Sequence, residues 1–247
     1  MRRVQVASVQ ALYRFPVKSM RGEQVQACAI GRHGLEGDRR FAFVRGDVRT
    51  DFPWLTARQL PQLLAYTPHF SRVAGTEDPS LQVRTPDGAD LPIWSEALRD
   101  RLAAAYGAPV FLLHSSLGLF DDLPLTAISA ATLRALDAGS DVAVDAPRMR
   151  ANLVLETVDE APFQEDAWLD GLLQFGADDT APLLRLNARV VRCMMINLDP
   201  HTQEQDPRLL RFVAGEHDTC AGVAGAMERT GIVHAGDPVF LYRATRD

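Results

Sequence analysis

Hydrophobic and polar positions follow two different periods along this chain. Residues 4–13 alternate loosely, residues 24–30 alternate, and residues 40–44 form a short apolar run, so the first ninety-odd residues read as β-rich. Asp87-Gly88 lies between two short β-prone runs in residues 80–93. Asp-Gly favours the positive φ angles of a tight turn, which predicts a hairpin there. The period then lengthens. Ser95, an acidic first turn and Gly107 mark both ends of a helix, and Ser129 through Gly139 repeat that grammar. Strands are expected at residues 152–156, 183–186 and 190–196, and a short helix at 207–213 opens on Pro207. Residues 222–229 and 232–242 suggest a closing β-ribbon turning at Thr230-Gly231. No internal repeat or low-complexity tract interrupts the pattern. It predicts an α+β, β-rich chain of two lobes, divided here as residues 1–95 and 96–247.

Composition narrows the function more than the fold. The chain has 247 residues, 47% hydrophobic and 23% charged, enough to bury a full core without disulfides. Its net charge of -6 argues against nucleic acid as a general partner, since phosphate binding by counterion release needs a basic surface. No apolar run approaches the ~20 residues of a membrane span, and no secretory leader is evident at the N-terminus. Cys28, Cys193 and Cys220 are odd in number and widely spaced, which suits a reducing, cytoplasmic setting.

Four stretches carry cations: Phe15-Pro16-Val17-Lys18-Ser19, Gly37-Asp38-Arg39-Arg40-Phe41 and Arg148-Met149-Arg150-Ala151-Asn152 at the ends of expected strands, and Thr56-Ala57-Arg58-Gln59 near a helix start. Singly, each reads as solvated charge or a local ion pair. Together, in an acidic chain, they suggest a concave anion site, because arginine's planar fork matches phosphate oxygens. Ser129 is equally ambiguous, a helix cap or an anion contact at a helix start. Cys193 follows Arg192 at the edge of an apolar run. It is either a small core hydrophobe or a thiolate favoured by the arginine. Cys28 reads as packing, Cys220 as structural. Glu165, Asp166 and Trp168 read as a loop entering a helix. Dinucleotide, nucleotide-phosphate, zinc-protease and serine-hydrolase motifs are absent, and the six histidines show no metal-ligand spacing.

These stretches, taken in order, resemble the MOSC family. Tyr13-Arg14-Phe15-Pro16-Val17-Lys18-Ser19, Gly34-Leu35-Glu36-Gly37-Asp38-Arg39-Arg40 and Leu55-Thr56-Ala57-Arg58-Gln59 are similar to its N-terminal β-barrel domain. Pro124-Leu125 with Ser129, Arg150-Ala151-Asn152, Phe163 to Trp168, Arg192-Cys193 through Asp199-Pro200 and Gly236-Asp237-Pro238-Val239 are similar to the MOSC domain itself. The pattern is similar to that of the mitochondrial amidoxime-reducing component and its bacterial counterparts. The resemblance implies a MOSC β-barrel joined to a smaller β-rich N-terminal domain, with the molybdenum cofactor between them. It puts Cys193 on the metal-ligating cysteine. Lys18, Ser19, Arg40, Ser129, Arg150 and Arg192 fall on cofactor-contacting positions, with Thr56 and Arg58 as neighbours. Val191 and Ala151 depart from the serine and proline of those relatives.

The activity implied is reduction of N-hydroxylated or N-oxygenated compounds, with electrons from a separate ferredoxin- or flavin-type protein. A sulfur carrier loaded at Cys193 by a cysteine desulfurase and a non-catalytic cofactor carrier are the alternatives.

Overall fold

A computed structural model describes residues 2–71 and 80–243. Its larger unit is a closed seven-stranded barrel. Around the ring run Arg2–Arg14, Leu153–Thr157, Leu125–Ser129, Cys220–Arg229, Leu183–Val191, Leu172–Phe175 and Pro238–Arg243, the last pairing back to Arg2–Arg14. Glu23–Val25 is appended outside the ring on Arg2–Arg14. Every neighbouring pair in the ring is antiparallel except Leu125–Ser129 with Leu153–Thr157. A parallel pair needs a crossover, supplied here by the helix Ala130–Ser140 and the short turn of helix Ala146–Met149.

Period-two alternation separates two cores. Ala127, Leu153 and Leu155 point into the barrel with Leu12, Phe175 and Val223, whereas Ile128 and Val154 point outward beneath the helices with Leu136, Leu209 and Val213. A bulge between Val9 and Ala11 moves Ala11 to the outer core and so redirects the chain toward the next segment.

The smaller lobe has its own core, in which Val17, Met20, Phe41 and Phe43 meet Leu63, Val83, Leu98, Leu102 and Val110. A three-stranded sheet (Thr67–Ser71, Ser80–Arg84, Asp90–Pro92) and a two-stranded one (Phe41–Arg45 with Val110–His114) frame it. The helix Glu96–Tyr106 and the strand Val110–His114 therefore belong to this lobe. A division at 95/96 would cut the helix away from the core that Leu98 and Leu102 fill.

Locally signalled elements form as expected. Gly88 takes φ 90° in the hairpin turn, and its N–H donates to Thr85 O at 2.9 Å. Ser95 Oγ accepts from Leu98 N, and Gly107 closes the helix at φ 89°. Three expectations are corrected. The second helix runs past Gly139 and stops at Asp141, which is left-handed at φ 53°. Gly139 is instead a packing site, since a Cβ there would lie 2.1 Å from the Phe212 ring. The C-terminal ribbon does not form. Cys220–Arg229 and Pro238–Arg243 lie apart in the barrel, and Gly231–His234 crosses to pair with Ala27–Gly31. Finally, the strand expected over residues 190–196 ends at Val191, and Met194–Asn197 winds into a 3-10 turn whose Ile196 and Asn197 carbonyls accept from Arg148.

Among the described residues no helix is long and apolar enough to cross a membrane.

Candidate functional site

Between the lobes lies a cavity of about 280 Å³ with six basic side chains on its wall, Lys18, Arg39, Arg58, Arg148, Arg150 and Arg192, against two carboxylates, Asp121 and Asp122. In a chain of net charge -6 this is a strong local inversion. Ser19, Thr56 and Cys193 line the same cavity. Of the residues singled out in the sequence, then, Lys18, Ser19, Thr56, Arg58, Arg150, Arg192 and Cys193 converge.

Lys18 and Ser19 are placed by a short parallel bridge. After Arg2–Arg14 the chain turns, Val17 pairs with Phe41, and Lys18 N donates to Phe41 O at 2.8 Å. Fully buried Asp38 anchors the turn from below, taking the Phe15 N–H on Oδ1 at 2.6 Å and the Arg39 guanidinium on Oδ2. Ser19 is left-handed at φ 64° and almost fully buried, and its hydroxyl makes no side-chain hydrogen bond among the described residues. Lys18 Nζ reaches Asp121 Oδ1 at 2.6 Å and Leu119 O at 3.1 Å. Burial lowers the Lys18 pKa, and Asp121 opposes that shift.

The arginines divide into braces and donors. Arg148 gives Nε to Ile196 O at 2.8 Å, Nη1 to Ala143 O at 2.8 Å and Nη2 to Asn197 O at 3.1 Å, tying down the turn that follows Cys193. Arg192 donates to Ala221 O and, at 2.8 Å, to Met149 O, so it cross-links two strands to the Arg150 segment. Desolvation pulls its pKa down to about 10. Gly222 makes room for this brace. At φ +78°, a Cβ there would meet Ala127 O at 2.7 Å and Arg192 Nη2 at 3.2 Å.

Arg150 gives Nη1 to Met20 O at 2.8 Å and lies 4.4 Å from the Phe15 ring centroid, where Arg39 also lies at 5.0 Å. Burial, then the Arg39 charge, push Arg150 down to about 9. Crowding like charges where burial reduces their solvation is unfavourable, and an anion would relieve it. Ser19, Arg39 and Arg150 all hold left-handed backbone, at φ 64°, 49° and 52°, a concentration of strain at one site.

Cys193 is exposed, whereas Cys28 and Cys220 are buried. Its partner is Arg58, not the adjacent Arg192: Arg58 Nη2 donates to Cys193 Sγ at 3.1 Å, across 135 positions of sequence. Arg58→Gln is expected to slow alkylation of Cys193 by iodoacetamide at pH 7, because the cation in contact with the attacking sulfur is lost. Peptide mass spectrometry over a time course reads the rate, and an unchanged rate would contradict the pairing.

Two expected residues do not reach the cavity. Ser129 is fully buried and occupied as a helix cap, accepting from Thr132 N at 2.9 Å, and its own N–H is taken by Glu165. Arg40 faces a separate groove beside Gly31, Gly34 and Ile232, donating to His33 O at 3.0 Å. Left-handed backbone at Arg39 inverts the expected pair, so that Arg39 turns inward and Arg40 outward. Asp38, Arg39, Arg148 and Asp121 were not anticipated as site residues. Arg39 and Arg148 stood in the quoted basic stretches, and only the fold separates them from their neighbours.

If the cavity is an anion cradle, pyrophosphate should stabilise cofactor-free protein, by about 2.7 kcal/mol at a hundred times its Kd. Calorimetric melting is expected to show the rise in wild type and its loss in Arg150→Met. An equal rise in both would contradict the cradle.

No functionally curated protein matches the chain significantly. Among solved structures, the YuaD protein from Bacillus subtilis aligns over 98% of this chain and 99% of its own, with a TM-score of 0.55 and 13% identity. YiiM from Geobacillus stearothermophilus aligns over 50% of this chain and 56% of its own, with a TM-score of 0.38 and 15% identity. The MOSC N-terminal beta barrel domain matches residues 6–111 and the MOSC domain residues 114–240. With both domains matched in order over nearly its whole length, the chain belongs to the MOSC family, whose members bind the molybdenum cofactor or act in sulfur transfer.

Proposed function

We propose that this protein is a molybdenum-cofactor enzyme that reduces N-hydroxylated or otherwise N-oxygenated compounds. The observation that carries the reading is one exposed thiol, Cys193, on the wall of a cavity crowded with buried cations. The donor set suits the cofactor. A thiolate is a soft ligand that molybdenum accepts readily, and Lys18, the free Ser19 hydroxyl, Arg39 and Arg150 offer charge and hydrogen bonds to a pterin phosphate. Among the described residues no group of three or more His, Cys, Asp or Glu comes together. A metal at Cys193 must therefore bring most of its ligands with it, as a dithiolene does. When bound, the cofactor supplies the two-electron and oxygen-accepting chemistry.

The protein's own part is to hold and orient. Arg58 Nη2 donates to the Cys193 sulfur and so holds it in place before loading. Arg148 and Arg192 fix the backbone on both sides of Cys193, so that the sulfur has one position relative to the cationic floor. Cys28 and Cys220 are buried, which leaves Cys193 as the exposed thiol. Electrons would come from a separate ferredoxin- or flavin-type protein. Three unpaired cysteines suit a cytoplasmic setting.

The Arg58–Cys193 contact also favours a second reading, sulfur transfer through a Cys193 persulfide loaded by a cysteine desulfurase. One assay separates them. Protein from a host that makes the cofactor is supplied with a chemically reduced viologen and an N-hydroxyamidine. Amidine formation supports the reductase. No turnover, together with a mass increase of one sulfur on Cys193 after incubation with a desulfurase and cysteine, would replace it with the carrier.

A further inference from the structure

Val191 is the most exposed large apolar side chain among the described residues, at 72%. It ends the strand Leu183–Val191, two positions before Cys193. The backbone remains extended through Cys193, at φ −123° and ψ 178°. Side chains at 191 and 193 therefore project to one side and Arg192 to the other. Arg192 is accordingly buried with its donors on backbone carbonyls, while Val191 and Cys193 both open onto the cavity.

Phe52 is a second exposed apolar side chain on the same wall, at 37%. Arg58, whose Nη2 holds the Cys193 sulfur, lies with its Cζ 5.7 Å from the Phe52 ring centroid. A valine two residues back and a phenylalanine one side chain away thus border the same thiol. Single exposed apolar residues are ordinary on a protein surface. Two of them beside one reactive sulfur, at the mouth of a cavity with a cationic floor, divide the site into two chemistries.

The buried cations suit an anion. Val191 and Phe52 offer no hydrogen bond, so they discriminate by apolar contact alone. We infer that Val191 and Phe52 form an apolar grip that selects, among molecules presented at Cys193, those with an aromatic or branched aliphatic group next to the reacting atom. The inference rests on the proposed function only in placing the reaction at Cys193.

Its test needs no cofactor. Cofactor-free protein is alkylated with iodoacetamide and, separately, with 2-iodo-N-phenylacetamide. In both reactions the sulfur displaces iodide, a thioether forms and the thiol proton goes to buffer. The ratio of the two rates at the Cys193 peptide is compared with the same ratio for glutathione. Wild type is expected to favour the aromatic reagent about tenfold more than glutathione does, the scale of a few apolar contacts. Val191→Ser with Phe52→Ala should bring the ratio to that of glutathione. Both positions are exposed, so the double variant keeps its core. A wild-type ratio equal to that of glutathione, or a double variant that keeps the preference, would overturn the grip. Because no metal takes part, that failure is separate from a failure of the reductase reading, which shows as absent turnover.

Discussion

Cys193→Ser is expected to lower turnover of N-hydroxylated substrates by roughly a thousandfold or more while leaving the fold intact. Serine is the closest replacement in shape, but its hydroxyl stays protonated at neutral pH and its oxygen is a hard donor. It therefore cannot take the place of a thiolate toward molybdenum. The side chain is exposed and caps nothing, its turn being held by Arg148, so stability should move by no more than about 0.5 kcal/mol. Steady-state assays with a reduced viologen, beside a urea melt, separate the two effects. A serine variant with wild-type turnover would contradict the role of Cys193. A variant that is inactive because it is unfolded would contradict the structural account of the turn.

The reason this prediction could be framed from residues at all is that part of the site is written locally. Cap signals at Ser95 and Gly107, and the turn at Asp87-Gly88, depend on a few neighbouring residues and were legible. So were the basic stretches as a set. What could not be read is how neighbouring residues divide their work. Arg39 and Arg40 are identical in type and adjacent, and a left-handed residue decides which one enters the cavity. Gly139 has the appearance of a helix stop, yet its lack of a side chain serves the approach of Phe212, more than seventy positions away. The thiol's partner illustrates the same limit. Arg192 is next to Cys193 in sequence, but extended backbone sends the two side chains to opposite sides, and Arg58 arrives from the other lobe. Strand order in the barrel, including the dispersal of residues 220–243 over separate pairings, is likewise a property of long-range closure.

The second large effect is expected at Asp38, which touches no part of the cavity directly. Asp38→Ala should destabilise the protein by about 3–5 kcal/mol. The carboxylate is fully buried and accepts from two donors at once, the Phe15 backbone N–H and the Arg39 guanidinium. Removing it leaves a buried N–H without its acceptor and Arg39 without its ion-pair partner beside Arg150. Asp38→Asn should be milder in stability, since an amide oxygen can still accept from Phe15 N. It should nevertheless loosen Lys18 and Ser19 and reduce retention of the cofactor. Urea denaturation followed by circular dichroism gives the first quantity, and cofactor content after gel filtration gives the second. An Asp38→Ala protein within about 1 kcal/mol of wild type would show that the Phe15–Ser19 turn is held by something else.

The reductase reading and the grip at Val191 both presuppose that Cys193 is where the chemistry takes place. The most direct test is elemental analysis for molybdenum, with pterin extraction, on wild type and Cys193→Ser purified from a host that makes the cofactor. Near-stoichiometric metal and pterin in the wild type, with the metal largely lost from the variant, is the expected result. A wild-type protein free of both, from a host that loads another molybdenum enzyme prepared alongside it, would contradict the account.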